Sequence, residues 1–568
     1  MFTLRRSARL SEAAGKDQRG QALVFSLVTV AVVILVMLAT FNVGQATLAK
    51  IRLQNAADAA VYSAAQAQAR DYNFSAYTNR AMIANEVAVA QVVGLRSWAA
   101  NFNKTYTSEF TWVPRMLTAL GGPLASWMWN TPWNINKNIA KTFDSGLNTI
   151  GPVLVKGLNT LNQALNVAQM FYHYGTALTV AQTIGMSPGG LLTLLGVDLS
   201  GLPDEVTDVL NFGDSNNVLK MNDPEATLTA GGWLTAATSL YNWLRYTERK
   251  DPNVKPASAT AKGADGAEAD RLAGVVMNSL DPFSRDRSTR NAWYEGAPEV
   301  FYITPNPFVI DPTRFIPYQN GAFMMWLWHR GGTELKSVTA GGGASGYSKK
   351  TWTALDATGF TGGAIFWISI LGIPIPIPII IPTMPMGWGA AQAGKQIAGA
   401  PALGTNNNFQ TPADEAYGGV YQGFNTALSG FRQRAQGAGN TMGCSFTDSG
   451  CTSDTSHGLK KYFDVKNTST KANGGPTLLI EVQRASSTVP NSSKISKGRF
   501  EMAPGKPGDT DAMKALSRAE VYFSRPSKLW EREDGKKEFA SLYSPYWQAR
   551  LTPNSFLEKY ASMMFHLL

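Results

Sequence analysis

From Gln21 to Ala49 the chain carries no charged residue, and inside that run Ala22–Phe41 reads ALVFSLVTVAVVILVMLATF. As a helix, twenty such residues rise about 30 Å, the thickness of a bilayer's hydrocarbon core. A backbone in that core must satisfy its own hydrogen bonds, so helix is the conformation open to it. The run predicts a transmembrane helix over residues 21–42. Arg5, Arg6, Arg9, Lys16 and Arg19 precede it against only Glu12 and Asp17. The positive-inside rule then places residues 1–20 in the cytoplasm and everything after the span on the far side, in a single-pass protein. A cleaved signal peptide ending near Ala39 or Ala46 is the competing reading, although the apolar core of such a peptide is usually only about 7–15 residues long. On either reading the bulk of the chain is exported.

Charged residues make up 16% of the 568 residues, where soluble domains average about 25%. With 44% hydrophobic residues and 15 Trp, this scarcity indicates a folded, sparsely charged protein rather than a disordered one. The net charge of +10 is uneven: +3 lies in residues 1–20, +7 in residues 455–568, and the remainder is neutral. The front share is a topology signal, so the pI of 9.3 does not describe a nucleic-acid binder.

After the span comes LAKIRLQNAADAAVYSAAQAQARDYNFSAYTNRAMIANEVAVAQVVGLRSWAA, with eight Ala between Ala56 and Ala69 and no Pro before Pro114. This predicts a long helix over residues 43–100. Small side chains let another backbone approach closely, either a helix of another chain or the chain's own domain. The basic N-terminus, Arg19-Gly20-Gln21-Ala22 at the start of the apolar run, and Leu53-Gln54-Asn55-Ala56-Ala57-Asp58-Ala59-Ala60 resemble the N-terminal region of TadG-like proteins of Flp (tight-adherence, Tad) pilus assembly. The stretch from Tyr72-Asn73-Phe74 to Gln91 is similar to larger members of that group, as is the segment from Arg518 through Ser544-Pro545-Tyr546-Trp547-Gln548-Ala549-Arg550-Leu551. The resemblance implies a non-enzymatic bacterial envelope protein of a pilus or secretion apparatus, with the inner membrane and pilins or pilus assembly proteins as partners. Two family features differ here. Phe25 stands where processed pilins carry Glu after the leader Gly, and neither Asp198-Leu199-Ser200 nor Asp454-Thr455-Ser456 completes an Asp-x-Ser-x-Ser metal motif.

Beyond residue 100 the pattern predicts a mainly helical region over 101–251, a linker over 252–266 and a mixed α+β exported domain over 267–568 with long polar loops. Leu147, Ile150, Leu154, Leu158, Leu161, Leu165, Ala168 and Tyr172 form a heptad-like stripe, read as one member of a helix pair and entered at Pro152. Short β-like runs follow at Val300–Thr304, Pro307–Ile310, Met324–Trp328, Thr351–Leu355, Thr477–Val482 and Glu520–Phe523, with residues 337–350 and 386–450 read as loops. The fold class is therefore α+β, with the transmembrane helix running into the Ala-rich one.

Ala357–Gly394 is 38 residues without a charge and contains IPIPIPIIIP. Pro374, Pro376, Pro378 and Pro382 exclude a second transmembrane helix. In an extended chain Ile373, Ile375, Ile377 and Ile379 share one face, and such a strand pairs along one edge only. It is either a buried edge strand guarded by its prolines or an exposed contact with membrane or partner. Cys444 and Cys451 enclose six residues, a spacing that permits a disulfide loop in an oxidising compartment.

The search for chemistry returns little. His173, His329, His457 and His566 are scattered, Gly341–Gly346 lacks the Lys-Ser/Thr of a P-loop, and Ser345 in GGGASGY misses the G-x-S-x-G pattern by one position. No catalytic, cofactor or metal site and no small-molecule substrate are expected. The alternatives to an assembly component are a surface-exposed adhesin, suggested by the Gly/Asn/Thr-rich loops and aromatics, and an exported hydrolase.

Overall fold

In the computed structural model the described residues are 4–108, 122–186, 217–252, 271–285, 287, 300–303, 322–340, 347–370, 373–393, 441–442, 459–466, 474–492, 512–526, 538–556 and 558–559. The helices are α1 (Leu4–Thr107), α2 (Gly122–Thr183), α3 (Val218–Asn222), α4 (Ala230–Tyr246), α5 (Arg271–Asn278) and α6 (Pro282–Arg285). The strands are β1 (Thr227–Leu228), β2 (Thr247–Lys250), β3 (Val300–Ile303), β4 (Ala322–Ala340), β5 (Tyr347–Ile370), β6 (Ile373–Ala393), β7 (Thr441–Met442), β8 (Tyr462–Val465), β9 (Gly474–Ala485), β10 (Ala512–Phe523) and β11 (Trp547–Leu551). The fold is mixed, with long helices and largely antiparallel sheets. The chain divides into two units, each drawn from separated segments. The first comprises Met1–Tyr77, Met170–Glu248 and Asp464–Leu568; the second comprises Thr78–Gln169 and Arg249–Phe463.

Helix α1 is 104 residues long because nothing interrupts it: it contains no proline, and its middle is the Ala-rich run. In the first unit its buried face is Ala49, Leu53, Ala56, Ala57, Ala60, Val61, Ala64, Ala65 and Ala69. The sheet of this unit has the order β1-β9-β10-β11. Ala515, Ala519, Val521 and Phe523 alternate inward on β10, as do Leu478, Ile480 and Val482 on β9, the period-2 pattern of a sheet with one covered face. Gln54 donates to the Leu516 carbonyl at 3.3 Å, and the Ser517 hydroxyl donates to Asp58, so α1 is tied to β10. Helix α4 begins at Thr229, whose hydroxyl accepts from the Gly232 amide at 2.7 Å, while the Thr229 amide donates to the Glu481 carbonyl at 3.1 Å. A Cβ at Gly232 would lie 1.9 Å from that carbonyl oxygen, so only glycine lets α4 sit this close to β9.

The second unit holds the sheet β3-β4-β5-β6-β7. Its strands β4, β5 and β6 are 19, 24 and 21 residues long, well beyond the short runs read from the sequence. The described parts of the segments expected as loops, residues 337–340, 347–350 and 386–393, continue the ladder, with Ala340 opposite Tyr347 and Thr353 opposite Gln392. Backbone pairing does not require apolar side chains, so Gly- and Thr-rich ends remain in register. Helix α2 also exceeds expectation: it runs through both Pro132 and Pro152 rather than starting at the latter. Each proline forfeits a backbone hydrogen bond, and buried contacts on both sides, at Trp133, Ala140 and Val155, hold the helix through them. The run Pro307–Ile310, the linker beyond 252 and Cys444 and Cys451 lie outside the described residues.

Candidate functional site

Residues 22–37 of α1 form an apolar surface: Leu23, Val24, Phe25, Leu27, Val28, Val30 and Met37 are all exposed, and none of the most apolar 18-residue window is buried. The few hydroxyls are satisfied by the helix's own backbone. Thr29 donates to the Phe25 carbonyl and Thr40 to the Val36 carbonyl, both at 2.8 Å, and Ser26 donates to the Ala22 carbonyl. Such i−4 bonds allow a helix to carry hydroxyls through hydrocarbon.

Where the first unit's part of α1 ends, the small residues give way to an aromatic and polar cluster. The Asn73 side-chain amide donates to the Trp547 carbonyl at 2.9 Å and accepts from the Trp547 amide at 3.0 Å. It thus satisfies the outer edge of β11 as another strand would. The Tyr72 ring meets Trp547 edge-on at 4.8 Å and stacks on Trp243 and Tyr246, each at 6.0 Å. The Tyr72-Asn73-Phe74 and Tyr546-Trp547 stretches, from opposite ends of the sequence, therefore meet. Below them Asp71 Oδ2 lies 2.6 Å from His173 Nδ1, with both side chains buried. Burial raises the Asp71 carboxyl above its usual range, against the opposing hydrogen bond and charge of His173.

The second unit's part of α1 presents polar groups inward, and α2 answers them in antiparallel register. Gln169 Nε2 donates to Thr78 Oγ1 at 2.6 Å and to Asn79 Oδ1 at 2.7 Å; Asn162 donates to Glu86 Oε1 at 2.9 Å and accepts from Asn85 at 2.8 Å. Arg96 pairs with Asp144 and donates to Asn148 at 3.1 Å, and Asn103 donates to Asp144 at 2.7 Å. Glu86 also accepts from the Trp352 indole at 2.9 Å. Burial raises the Glu86 carboxyl despite these hydrogen bonds and the charge of Lys460.

Nearby, Arg287 holds Asp356 with two hydrogen bonds of 2.9 Å, and His329 Nε2 lies 3.1 Å from the same carboxylate. Asp356 is fully buried. Burial alone would raise its carboxyl, but the Arg287 charge and the bonds from His329 and Arg287 outweigh burial and lower it. Arg287 also donates to Thr333 at 2.9 Å, and Asn101 of α1 reaches His329 Nδ1 at 3.2 Å and Thr358 at 2.9 Å. A Cβ on Gly94 would lie 2.8 Å from Arg287 Nη1, so glycine admits α1 to this cluster.

Of the residues singled out from the sequence, Ile373, Ile375, Ile377 and Ile379 fall on β6, opposite Ile370, Ile368, Phe366 and Ala364 of β5. Proline lacks the N–H for a ladder bond, so the isoleucines supply the donors toward β5 and the prolines face the other edge. Among the described residues that edge is paired only at Gln392 and Ala393, with β7. His173 and His329 are the buried and half-buried partners of Asp71 and Asp356; His457 and His566 lie outside the described residues. Among the described residues no group of three or more His, Cys, Asp or Glu is placed to hold a metal. The buried ionic clusters each join residues far apart in the chain; the legible hint was charge on an Ala-rich helix, at Asp71, Glu86 and Arg96.

One exposed apolar helix that leads without a break into an Ala-rich helix, itself built into a mixed domain, defines a class of proteins with a membrane-anchoring helix that doubles as a structural spine. The family model Tad, "Putative Flp pilus-assembly TadE/G-like", matches residues 20–67, the anchor and the first part of the spine. No curated protein and no solved structure matches the chain. The Tad match supports a pilus-related role for this chain.

Proposed function

We propose that the chain is a non-enzymatic, membrane-anchored component of a Tad/Flp-type pilus or secretion apparatus, acting in pilus assembly or as a minor pilin-like subunit. The observation that carries this reading is the coincidence of the Tad match at residues 20–67 with the exposed apolar stretch of α1. In this reading residues 1–20 stay in the cytoplasm, residues 21–42 cross the inner membrane, and the remainder is periplasmic or exported. The small-residue face of α1 is occupied within its own unit, so lateral packing against pilins falls to the apolar surface around residues 22–48. The edge of the Ile-Pro strand that is unpaired among the described residues offers a second contact, and a Cys444–Cys451 disulfide would suit the exported location. Cross-linking in cells that carry the apparatus is expected to capture other Tad components, and deletion of the gene to reduce piliation. Recovery of the protein alone, together with unaltered piliation, would overturn the reading.

A further inference from the structure

Helix α2 is amphipathic in the reverse sense. Within the second unit its buried residues include Asn159, Asn162, Asn166 and Gln169, whereas Ile135, Ile139, Ile150, Val153, Leu154 and Leu161 are 46–70% exposed. At 100° per residue these six fall within an arc of about 100°, a continuous apolar stripe. Part of the heptad-like stripe of the sequence thus stays unburied in its own unit: Ile150, Leu154 and Leu161 belong to the exposed face, while Leu147, Leu158 and Leu165 are half-buried. Together the six present on the order of 600 Å² of apolar surface, at the upper end for the largest patch on a monomer and close to the ~800 Å² each partner contributes to a standard interface.

We infer that this face docks the same face of a second copy of the chain. The 3-4 spacing of Leu147, Ile150, Leu154, Leu158 and Leu161 is that of a seam closed by another helix. Of the positions flanking the stripe, Asn136, Asn138, Thr142, Ser145, Thr149 and Thr160 are uncharged and Lys156 is charged, whereas Lys141 lies on the far side of the helix. Two identical faces therefore meet with a single lysine at each rim, fewer than the paired flanking charges that select a different helix or the basic cluster that binds anionic lipid. A membrane anchor confines copies to one plane and raises their effective concentration. This inference does not rest on the pilus role.

The test uses the full-length chain in membranes of a host without Tad components, with the photo-cross-linker p-benzoylphenylalanine at position 150 or, as a control, at position 141. The expected result is a two-copy adduct from position 150, verified by mass spectrometry, at least tenfold above that from position 141. The Ile150→Asp/Leu154→Asp chain should retain its thermal transition, because both residues are exposed, and lose the dimer on gel filtration in mild detergent. An adduct from position 150 that is only intramolecular, with lipid or with a host protein, or a dimer that survives the double substitution, overturns the inference. If the double variant fails to fold, the cross-link alone decides.

Discussion

The two parts of α1 solve the same packing problem with opposite chemistry. From Ala49 to Ala69 the buried face is almost wholly Ala, Leu and Val, with polar groups entering at Gln68, Asp71 and Ser75. From Thr78 to Asn101, Asn79, Glu86, Arg96, Ser97 and Asn101 are buried among apolar neighbours. A smooth Ala face gains close approach, but neighbouring registers along it bury similar area. A polar face has one good register, because a slip leaves several buried donors and acceptors unpaired at about 1–3 kcal/mol each. The contrast suggests a division of labour, in which the first part supplies apolar burial and the second fixes where the helix sits.

The largest test of this division removes Asp356. Asp356→Ala leaves Arg287 buried without its bidentate partner, and breaking a pair of this kind costs about 3–5 kcal/mol. The denaturant midpoint of the detergent-solubilised chain should fall accordingly. A loss below about 1 kcal/mol would mean that the cluster does not hold the second unit's part of α1. In the first unit the corresponding change is Ala60→Leu. Ala60 is fully buried, and overpacking a filled site costs about 1–3 kcal/mol. Asn55→Leu, exposed on the preceding turn, should stay within about 0.5 kcal/mol. Equal effects at the two positions would show that the Ala face is not closely packed.

How legible each part was follows from the same contrast. The anchor and the uninterrupted helix are written in local composition and periodicity and were read correctly, and the runs Thr477–Val482 and Glu520–Phe523 fall on β9 and β10. The Ile-Pro strand pairs with β5, and proline's missing donor, which limits its other edge, is a local fact. The burial of Asn162 opposite Glu86 is not local: an asparagine on a helix reads as surface until its partner, some 76 positions away, is known. The same limit inverted α2, where Leu and Ile at heptad spacing read as core. In the structure Ile150, Leu154 and Leu161 lie outward because the polar partners on α1 claim the other face. The lengths of β4 to β6 were hidden because their ends are Gly- and Thr-rich, a composition shared by loops and by strands held through backbone alone.

The smallest effect, and the finest test of the polar part, is the pH response of Glu86. Its folded pKa is raised above the ordinary 4.5, so over the interval between the two values the native chain holds a proton that the unfolded chain has released. Stability is therefore greatest below about pH 4.5, declines as pH rises toward the folded pKa, and is flat beyond it. Asp356 works the other way: its pKa is lowered from 3.8, so its contribution is complete above that value and lost only as pH falls further. The two windows do not overlap. Glu86→Gln keeps the shape but offers one acceptor to the Trp352 and Asn162 donors, which should cost about 1 kcal/mol near pH 4.5. As pH rises, wild type weakens while the variant does not, so the gap should close. Parallel denaturation midpoints for the two chains from pH 4 to 8 would show instead that Glu86 ionises in the fold as it does in water, and that the polar register contains a solvated charge.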